Sequence, residues 1–167
     1  MAFTRLPRRR LRALPHEMNG EVFSIAIPQP DEPWVLRSFG DASAAAVAIC
    51  ELPVQREVLV LMDQFRQVTA LVIDPPAHIG LLVGQCLAPV LDLPFCQTLV
   101  ISCVDRIPSG PPTSDARAAY HALRRAHMMQ GLQLIDIVLT DVERISSMAI
   151  ACDTDPVWFD QVADRAA

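Results

Sequence analysis

Two carboxylates, Asp105 and Asp115, lie ten residues apart in the polar stretch DRIPSGPPTSD. Together with a histidine they could hold a metal ion, because carboxylate oxygens and imidazole nitrogens are common ligands. His78, however, falls in a separate predicted helix. His121 and His127 are six residues apart on another helix, so they point to different faces and do not chelate together. A carboxylate pair alone is weak zinc chemistry, so the simpler interpretation makes both aspartates loop and cap residues.

Other catalytic patterns are missing from the sequence. It contains no G-x-G-x-x-G or G-x-x-x-x-G-K-[ST] loop for phosphate and no G-x-S-x-G elbow. All fourteen basic residues are arginine, which removes lysine as a nucleophile or Schiff-base former. The cysteines show no C-x-x-C pair and no catalytic histidine context, so we interpret them as small buried hydrophobic residues. They are Cys50, Cys86, Cys96, Cys103 and Cys152.

The charge is unevenly distributed along the 167 residues. The net charge is −5, yet the N-terminus is basic. Its two prolines and lack of hydrophobic period predict a flexible arm over residues 1–18, which could contact nucleic acid or an acidic partner. The arginines concerned are Arg5, Arg8, Arg9, Arg10 and Arg12. With no secretory signal and no apolar run of about 18 residues, we expect a cytoplasmic protein without a membrane span.

The elements that position these residues are predicted to form one domain over residues 19–152. Residues 19–52 are its N-terminal extension, in which EVFSIAIP and PWVLRSF predict two strands and DASAAAVAICEL, starting at Asp41, predicts a helix. In the core, residues 56–151, REVLVLMD and VTALVID predict a hairpin. Both strands are nearly apolar throughout, which is typical of a sheet covered on both sides.

The rest of the core alternates helix and strand. PPAHIGLLVGQCLAPVLDL predicts a helix and CQTLVISCV a buried strand. A long helix should begin with Ser114 as N-cap and end at Gly131. Its expected apolar face consists of Ala118, Ala122, Leu123, Ala126 and Met129, with Met128 also counted as core filler.

LQLIDIVLT and ISSMAIA predict a final hairpin around the polar turn DVER. Residues 153–167 are expected to form a short helix or tail. The order of elements predicts the fold class: an α/β sandwich whose mixed central sheet is flanked by helices.

The same string of elements resembles the RadC-type branch of the JAB/MPN (JAMM) metalloprotease family from about Arg56 to Ala151. Members of that family have a strand that ends in an H-N-H-P-S-G-type loop, then a long helix, then a strand reading roughly L-L-D-H. Here PSG is Pro108–Gly110 and GLQLIDIVLTD is Gly131–Asp141. The resemblance implies the JAMM-like (cytidine-deaminase-like) form of the α/β sandwich.

In that family two histidines and an aspartate hold one zinc, a glutamate acts on the zinc-bound water, and a serine stabilises the oxyanion. In this sequence the ligand places hold Asp105, Ile107 and Arg117, and the loop is about one residue shorter. Ser114 keeps the serine place, and Asp74 is the carboxylate nearest the glutamate place. Ile135–Asp136–Ile137 replaces L-D-H, so that histidine is missing too.

The resemblance therefore implies a JAMM fold without its metal centre: a pseudoenzyme that binds no metal or cofactor and serves as a scaffold. Its partner would be a protein, either a second copy or another JAMM-type domain. Two alternatives stay open: a zinc hydrolase with a shifted ligand set, and a nucleic-acid-associated factor, since RadC has been linked by name to DNA repair. The predicted binding groove consists of Asp105, Arg106, Pro108, Ser109, Gly110, Ser114, Asp115 and Arg117.

Overall fold

Seven strands form one mixed sheet in the part of the chain that the computed structural model describes, namely residues 12–18, 20–28, 33–50, 57–76, 81–87, 91, 94–141, 143–152 and 158. The strands are β1 (Arg12–Met18), β2 (Glu21–Ile27), β3 (Glu57–Met62), β4 (Val68–Ile73), β5 (Gln97–Cys103), β6 (Gln133–Thr140) and β7 (Ile145–Ser147). Their order across the sheet is β1-β2-β4-β3-β5-β6-β7. Of these neighbouring pairs, β5 and β6 run parallel and the others antiparallel. The predicted mixed α/β class is confirmed.

Helices cover both faces of this sheet. The described helices are α1 (Phe39–Cys50), α2 (Val83–Leu87), α3 (Ser114–Met129) and α4 (Met148–Ala151). Successive residues of β3 point to opposite faces: Val58 and Val60 join the apolar cluster under α1, whereas Leu59 and Leu61 join the cluster under α2 and α3. Burial on both faces is why β3 and β5 read as continuous apolar runs.

The sequence predicted a flexible arm over residues 1–18. This prediction was wrong for residues 12–18, which form β1. β1 pairs antiparallel with β2, and Met18 faces Glu21 across the dipeptide Asn19-Gly20. Asn-Gly is a strong hairpin signal, and Gly20 has the positive φ (79°) that such turns require. β1 lies at the edge of the sheet, where Pro15 is tolerated. Residues 1–11 lie outside the described part of the chain.

α1 begins two residues earlier than predicted. Asp41 is not the N-cap: the N–H of Asp41 donates to Ser38 Oγ (3.0 Å), and the N–H of Ser38 donates to Asp41 Oδ2 (3.0 Å). This reciprocal pair is a capping box with Ser38 as the cap. The strand predicted for PWVLRSF is reduced to a single bridge between Val35 and Gln67.

α3 has the predicted length but not the predicted cap or buried face. Thr113, not Ser114, is the N-cap, since its Oγ1 accepts the N–H of Ala116 (3.2 Å). Tyr120 and His127 are buried, and the Nδ1 of His127 lies 2.8 Å from Thr98 Oγ1 in β5. The expected face is largely outside: Ala118, Ala122, Met128 and Met129 are exposed, while Leu123 and Ala126 are half-buried. Alanine fills little volume, so the larger Tyr120 and His127 fill the space against the sheet.

The other predicted elements are shorter in the structure. Of the helix predicted over residues 75–93, α2 covers Val83–Leu87, and residues 77–80, 88–90 and 92–93 lie outside the described part. β7 stops at Ser147 because that side chain caps α4, accepting the N–H of Ile150 (3.0 Å). Of the predicted C-terminal helix or tail, the structure describes only Trp158. No described helix is long and apolar enough to cross a membrane.

Candidate functional site

The loop after β5 and the turn after β6 lie side by side because these two strands are parallel neighbours. Ligands of α/β proteins commonly bind outside the carboxyl ends of such strands. At this edge the structure has an open cleft of about 520 Å³. The cleft is lined by Asp105, Arg106, Ser109, Asp141, Glu143 and Arg144.

Asp141 connects the two walls of the cleft. Its Oδ2 accepts the N–H of Ile107 (2.7 Å), and its Oδ1 accepts the N–H of Glu143 (2.8 Å) and of Arg144 (2.7 Å). The Arg144 guanidinium donates in turn to the carbonyl of Ile107 and lies 3.9 Å from Asp141. These hydrogen bonds hold the pKa of Asp141 below its usual range. The N–H of Ile107 contributes most, followed by the N–H of Glu143. Asp141 is therefore ionised, and both of its carboxylate oxygens accept main-chain N–H groups that hold the two loops together.

Three charged side chains of the cleft remain available to a ligand. Asp105, Arg106 and Glu143 are exposed, and none of them has a hydrogen-bond or ion-pair partner among the described residues. Ser109, also exposed, adds a hydroxyl. Considering only the described residues, the cleft thus offers two carboxylates and one guanidinium without an ion-pair partner, a polar surface suited to ion pairing and hydrogen bonding.

The residues at the family's ligand places do not fit a zinc ion. Asp105 could donate an oxygen, but Ile107 is only 6% exposed and has no donor atom in its side chain. The Nε of Arg117 donates to the carbonyl of Pro112 (3.4 Å), and its positive charge would repel a cation. Within the described ranges no three His, Cys, Asp or Glu side chains form a group that could hold a metal.

The histidines considered for a shifted ligand set do not meet Asp105 in the described structure. His127 is buried against Thr98, and His121 is exposed on α3. No described histidine lines the cleft. His78 lies outside the described residues.

The structure brings together only part of the predicted groove. Asp105, Arg106 and Ser109 line the cleft, whereas Pro108, Gly110, Ser114, Asp115 and Arg117 do not. Gly110 has a positive φ (90°) and turns the loop, and Asp115 lies in the first turn of α3. The sequence reasoning missed the second wall, Asp141, Glu143 and Arg144. The polar turn DVER after an apolar strand was the available signal, but only a parallel pairing of β5 with β6 connects it to Asp105.

Asp136, which the resemblance aligns with the aspartate of L-D-H, has a structural role in this chain. It is fully buried, and its carboxylate accepts from Ser147 Oγ, from the N–H of Ala149 (2.9 Å) and from the indole N–H of Trp158 (2.9 Å). Burial raises the pKa of Asp136, although the hydrogen bonds from Ser147, Trp158 and Ala149 oppose this rise. The residue fastens β7, α4 and Trp158 to β6.

Asp74, the carboxylate nearest the family's glutamate place, lies at the end of β4. It is exposed, has a positive φ (49°), and donates its N–H to the carbonyl of Glu57 (2.8 Å). Burial, and then the charge of Asp74, raises the pKa of Glu57. Asp74 does not line the cleft, so the structure does not bring it to Asp105.

The cysteines do not all behave as small buried hydrophobic residues. Cys50, the last residue of α1, and Cys103, the last residue of β5, form a disulfide. The prediction was wrong for this pair because 53 residues separate its members, and only the fold brings them together. Cys86 and Cys96 are half-buried free thiols, and Cys152 is a buried one.

Comparison with known proteins finds no match for this chain among protein-family models, curated proteins or solved structures. The resemblance to the RadC branch therefore depends on short motifs and the order of elements in the sequence. What it implies for the function of the cleft is a proposal.

Proposed function

We propose that this chain is a RadC-like JAMM pseudoenzyme that binds a partner protein in the cleft at the ends of β5 and β6. The hydrogen bond from the N–H of Ile107 to Asp141 (2.7 Å) carries the proposal. It fixes the main chain at the second ligand place while the isoleucine side chain packs inward. This place therefore contributes to the stability of the loop and supplies no atom to a metal ion.

The rest of the ligand set supports a binding role over hydrolysis. Zinc enzymes of this kind need three donors and an open fourth position for water. Asp105, Ile107 and Arg117 provide one carboxylate, one aliphatic group and one cation. A cation at a ligand place opposes metal binding, so no catalytic step through zinc is assigned to this site.

The unpaired charges of the cleft favour a protein ligand with complementary charges. Asp105 and Glu143 can pair with basic side chains of a partner, and Arg106 can pair with an acidic one. Because these three side chains are exposed, they should speed association more than they tighten the complex, and added salt should weaken the effect.

Nucleic acid is less favoured at this cleft. Its lining includes three carboxylates against two guanidiniums, and carboxylates repel a phosphate backbone. Arg12 lies in β1, at the opposite edge of the sheet from β7. Arg5, Arg8, Arg9 and Arg10 lie outside the described residues.

The loss of metal chemistry is tested by elemental analysis of protein purified without an affinity tag, loaded with zinc and then dialysed. We expect no stoichiometric zinc. About one zinc per chain, lost in Asp105→Ala, would contradict the proposal and support a hydrolase with a shifted ligand set.

The binding role is tested with a photo-crosslinking amino acid at Ser109, which lines the cleft. In cells that make the protein, we expect a crosslinked protein partner, which mass spectrometry would identify. The double reversal Asp105→Arg/Glu143→Arg puts like charges against the partner and should strongly reduce the crosslink, most of all at low salt. Glu17→Arg, an exposed acid on β1, is the matched control and should preserve it. A crosslink that survives the double reversal undiminished would remove the cleft as the binding site.

A further inference from the structure

The disulfide between Cys50 and Cys103 joins a helix to the sheet that it covers. Cys50 ends α1 and Cys103 ends β5, and their Cα atoms are 6.5 Å apart, within the range that a disulfide spans. Otherwise α1 packs on the sheet mainly through small side chains. Its buried residues are Ala42, Ala45, Ala46 and Ile49. Three of these are alanines, which bury little apolar area. At the end of α1, Ile49 adds an apolar contact, and the disulfide at Cys50 adds a covalent link to it.

The disulfide is accessible to another thiol. Cys50 is exposed, and Cys103 is half-buried at the carboxyl end of β5, an interior strand of the sheet. Thiol–disulfide exchange needs a thiolate to reach one of the two sulfur atoms, and an exposed sulfur permits it. Structural disulfides that must persist are more commonly shielded from such attack.

The other cysteines indicate a reversible bond. Cys86, Cys96 and Cys152 are free thiols in the same molecule. Burial raises the pKa of Cys96 and of Cys152, which favours the thiol over the nucleophilic thiolate at both residues. One surface disulfide beside three free thiols is typical of a redox-sensing protein in a reducing compartment, not of a disulfide-stapled secreted one.

We propose that the bond between Cys50 and Cys103 is a reversible redox switch that fastens the end of α1 to the sheet in the oxidised state and releases it in the reduced state. The co-reactant is a protein dithiol. One of its thiolates attacks Cys50, forms a mixed disulfide and expels Cys103 as a thiolate, which takes up a proton. The second thiol of the dithiol then displaces Cys50, so two electrons and two protons pass to the protein and the dithiol becomes a disulfide.

The released part should be α1 and not the cleft. The residues after Cys103 keep independent anchors: the N–H of Val104 donates to the carbonyl of Thr140 (2.9 Å), and Asp141 holds Ile107. The switch is therefore independent of the proposed binding role, and either proposal can fail without the other.

The first test compares the air-oxidised protein with the same protein after dithiothreitol. Alkylation in denaturant, which exposes every free thiol, followed by intact mass should give three modified thiols before reduction and five after it. Reduction should lower Tm by roughly 10 °C, as expected for opening a disulfide across 53 residues in a chain of this size. Hydrogen exchange should increase in peptides covering α1 and stay unchanged in those covering residues 104–107. Re-oxidation should restore all three readouts.

Variants separate this pair from the other thiols. The double substitution Cys50→Ser/Cys103→Ser should reproduce the reduced values and abolish the response to dithiothreitol, whereas Cys86→Ser should keep it. If the double variant fails to fold, reduction and re-oxidation of the wild-type protein still test the switch. Five modified thiols in the oxidised sample, unchanged exchange in α1 on reduction, or failure to recover on re-oxidation would each overturn the switch.

Discussion

The main-chain N–H of Ile107 donates a 2.7 Å hydrogen bond to the carboxylate of Asp141, which lies 34 residues further along the chain. The same carboxylate accepts from the N–H groups of Glu143 and Arg144, and Arg144 donates back to the carbonyl of Ile107. These hydrogen bonds connect the two loops that follow the parallel strands β5 and β6. The side chain of Ile107 is buried while its main chain connects the two loops.

Asp141→Asn should destabilise the protein at neutral pH. The hydrogen bonds depress the pKa of Asp141 in the folded state, so its contribution is present above the unfolded-state pKa and is lost as pH falls through the folded value. The difference in Tm between wild type and variant should therefore be largest near pH 7 and shrink on acidification towards pH 2. Thermal unfolding at a series of pH values measures it.

Glu143→Gln is the control for this pH dependence, because no described residue pairs with the Glu143 side chain. Its Tm should follow wild type throughout the series. An Asp141→Asn difference that does not depend on pH would show that the ionised carboxylate is not what holds Ile107.

The central strands were predictable from sequence because their apolar composition indicates burial, whereas β1 was missed and the strand predicted for PWVLRSF is a single bridge. β3, β4, β5 and β6 fall within one or two residues of the apolar runs that predicted them. An apolar run on both faces leaves few alternatives to an interior strand. β2 was predicted on a different ground, the apolar and β-branched content of EVFSIAIP.

The buried face of α3 was not predictable in this way. Its alanines at helical spacing suggested an apolar stripe, but Ala118 and Ala122 are exposed, while Tyr120 and His127 are buried. Alanine is a good helix former on either side of a helix, and its spacing says little about which side packs. The partner of His127 is Thr98 in another element, which local sequence does not reveal.

Half of the candidate site was equally hidden. Asp105 and Arg106 were predicted from the loop that follows β5, but Asp141 and Arg144 enter through the pairing of β5 with β6. The link between Cys50 and Cys103 has the same origin. Contacts between distant segments depend on strand order, which one sequence does not determine.

Thr113→Ala should cost about 1 kcal/mol of unfolding free energy, because Thr113 Oγ1 accepts the N–H of Ala116 at the start of α3. Ser114→Ala, one residue later, should change it by less than about 0.5 kcal/mol, since Ser114 is exposed inside the first turn. Urea unfolding of both variants distinguishes the two residues. A larger loss of unfolding free energy in Ser114→Ala than in Thr113→Ala would show that Ser114 is the N-cap, as the sequence alone predicted.

Gln130→Met should loosen the contact between α2 and α3. The Gln130 side chain accepts the N–H of Gly84 (2.9 Å) and donates to the carbonyls of Leu81 (2.6 Å) and Ala126 (2.8 Å). Methionine keeps the length of the side chain and loses these bonds, so we expect a loss of about 1–2 kcal/mol. Hydrogen exchange should increase at Gly84 in particular. Gln133→Met, at an exposed position in β6, should leave the exchange of Gly84 unchanged.

Asp136→Ala should be the most damaging of these substitutions, by about 3 kcal/mol or more, because it leaves three buried donors without an acceptor. These donors are the hydroxyl of Ser147, the N–H of Ala149 and the indole N–H of Trp158. Guanidinium unfolding measures the loss. Ser147→Ala removes one donor together with the cap of α4 and should cost about 1 kcal/mol.

The pH dependence at Asp136 should run opposite to that at Asp141. Burial raises the pKa of Asp136, so the folded protein holds this proton more tightly than the unfolded chain does. The contribution of the protonated carboxyl is fully present below the unfolded-state pKa and is lost as pH rises through the folded value. The stability difference between wild type and Asp136→Asn should therefore shrink as pH rises, whereas that for Asp141→Asn grows. If both differences change with pH in the same direction, the buried carboxyl is ionised in the folded protein across the series, and its hydrogen bonds outweigh its burial.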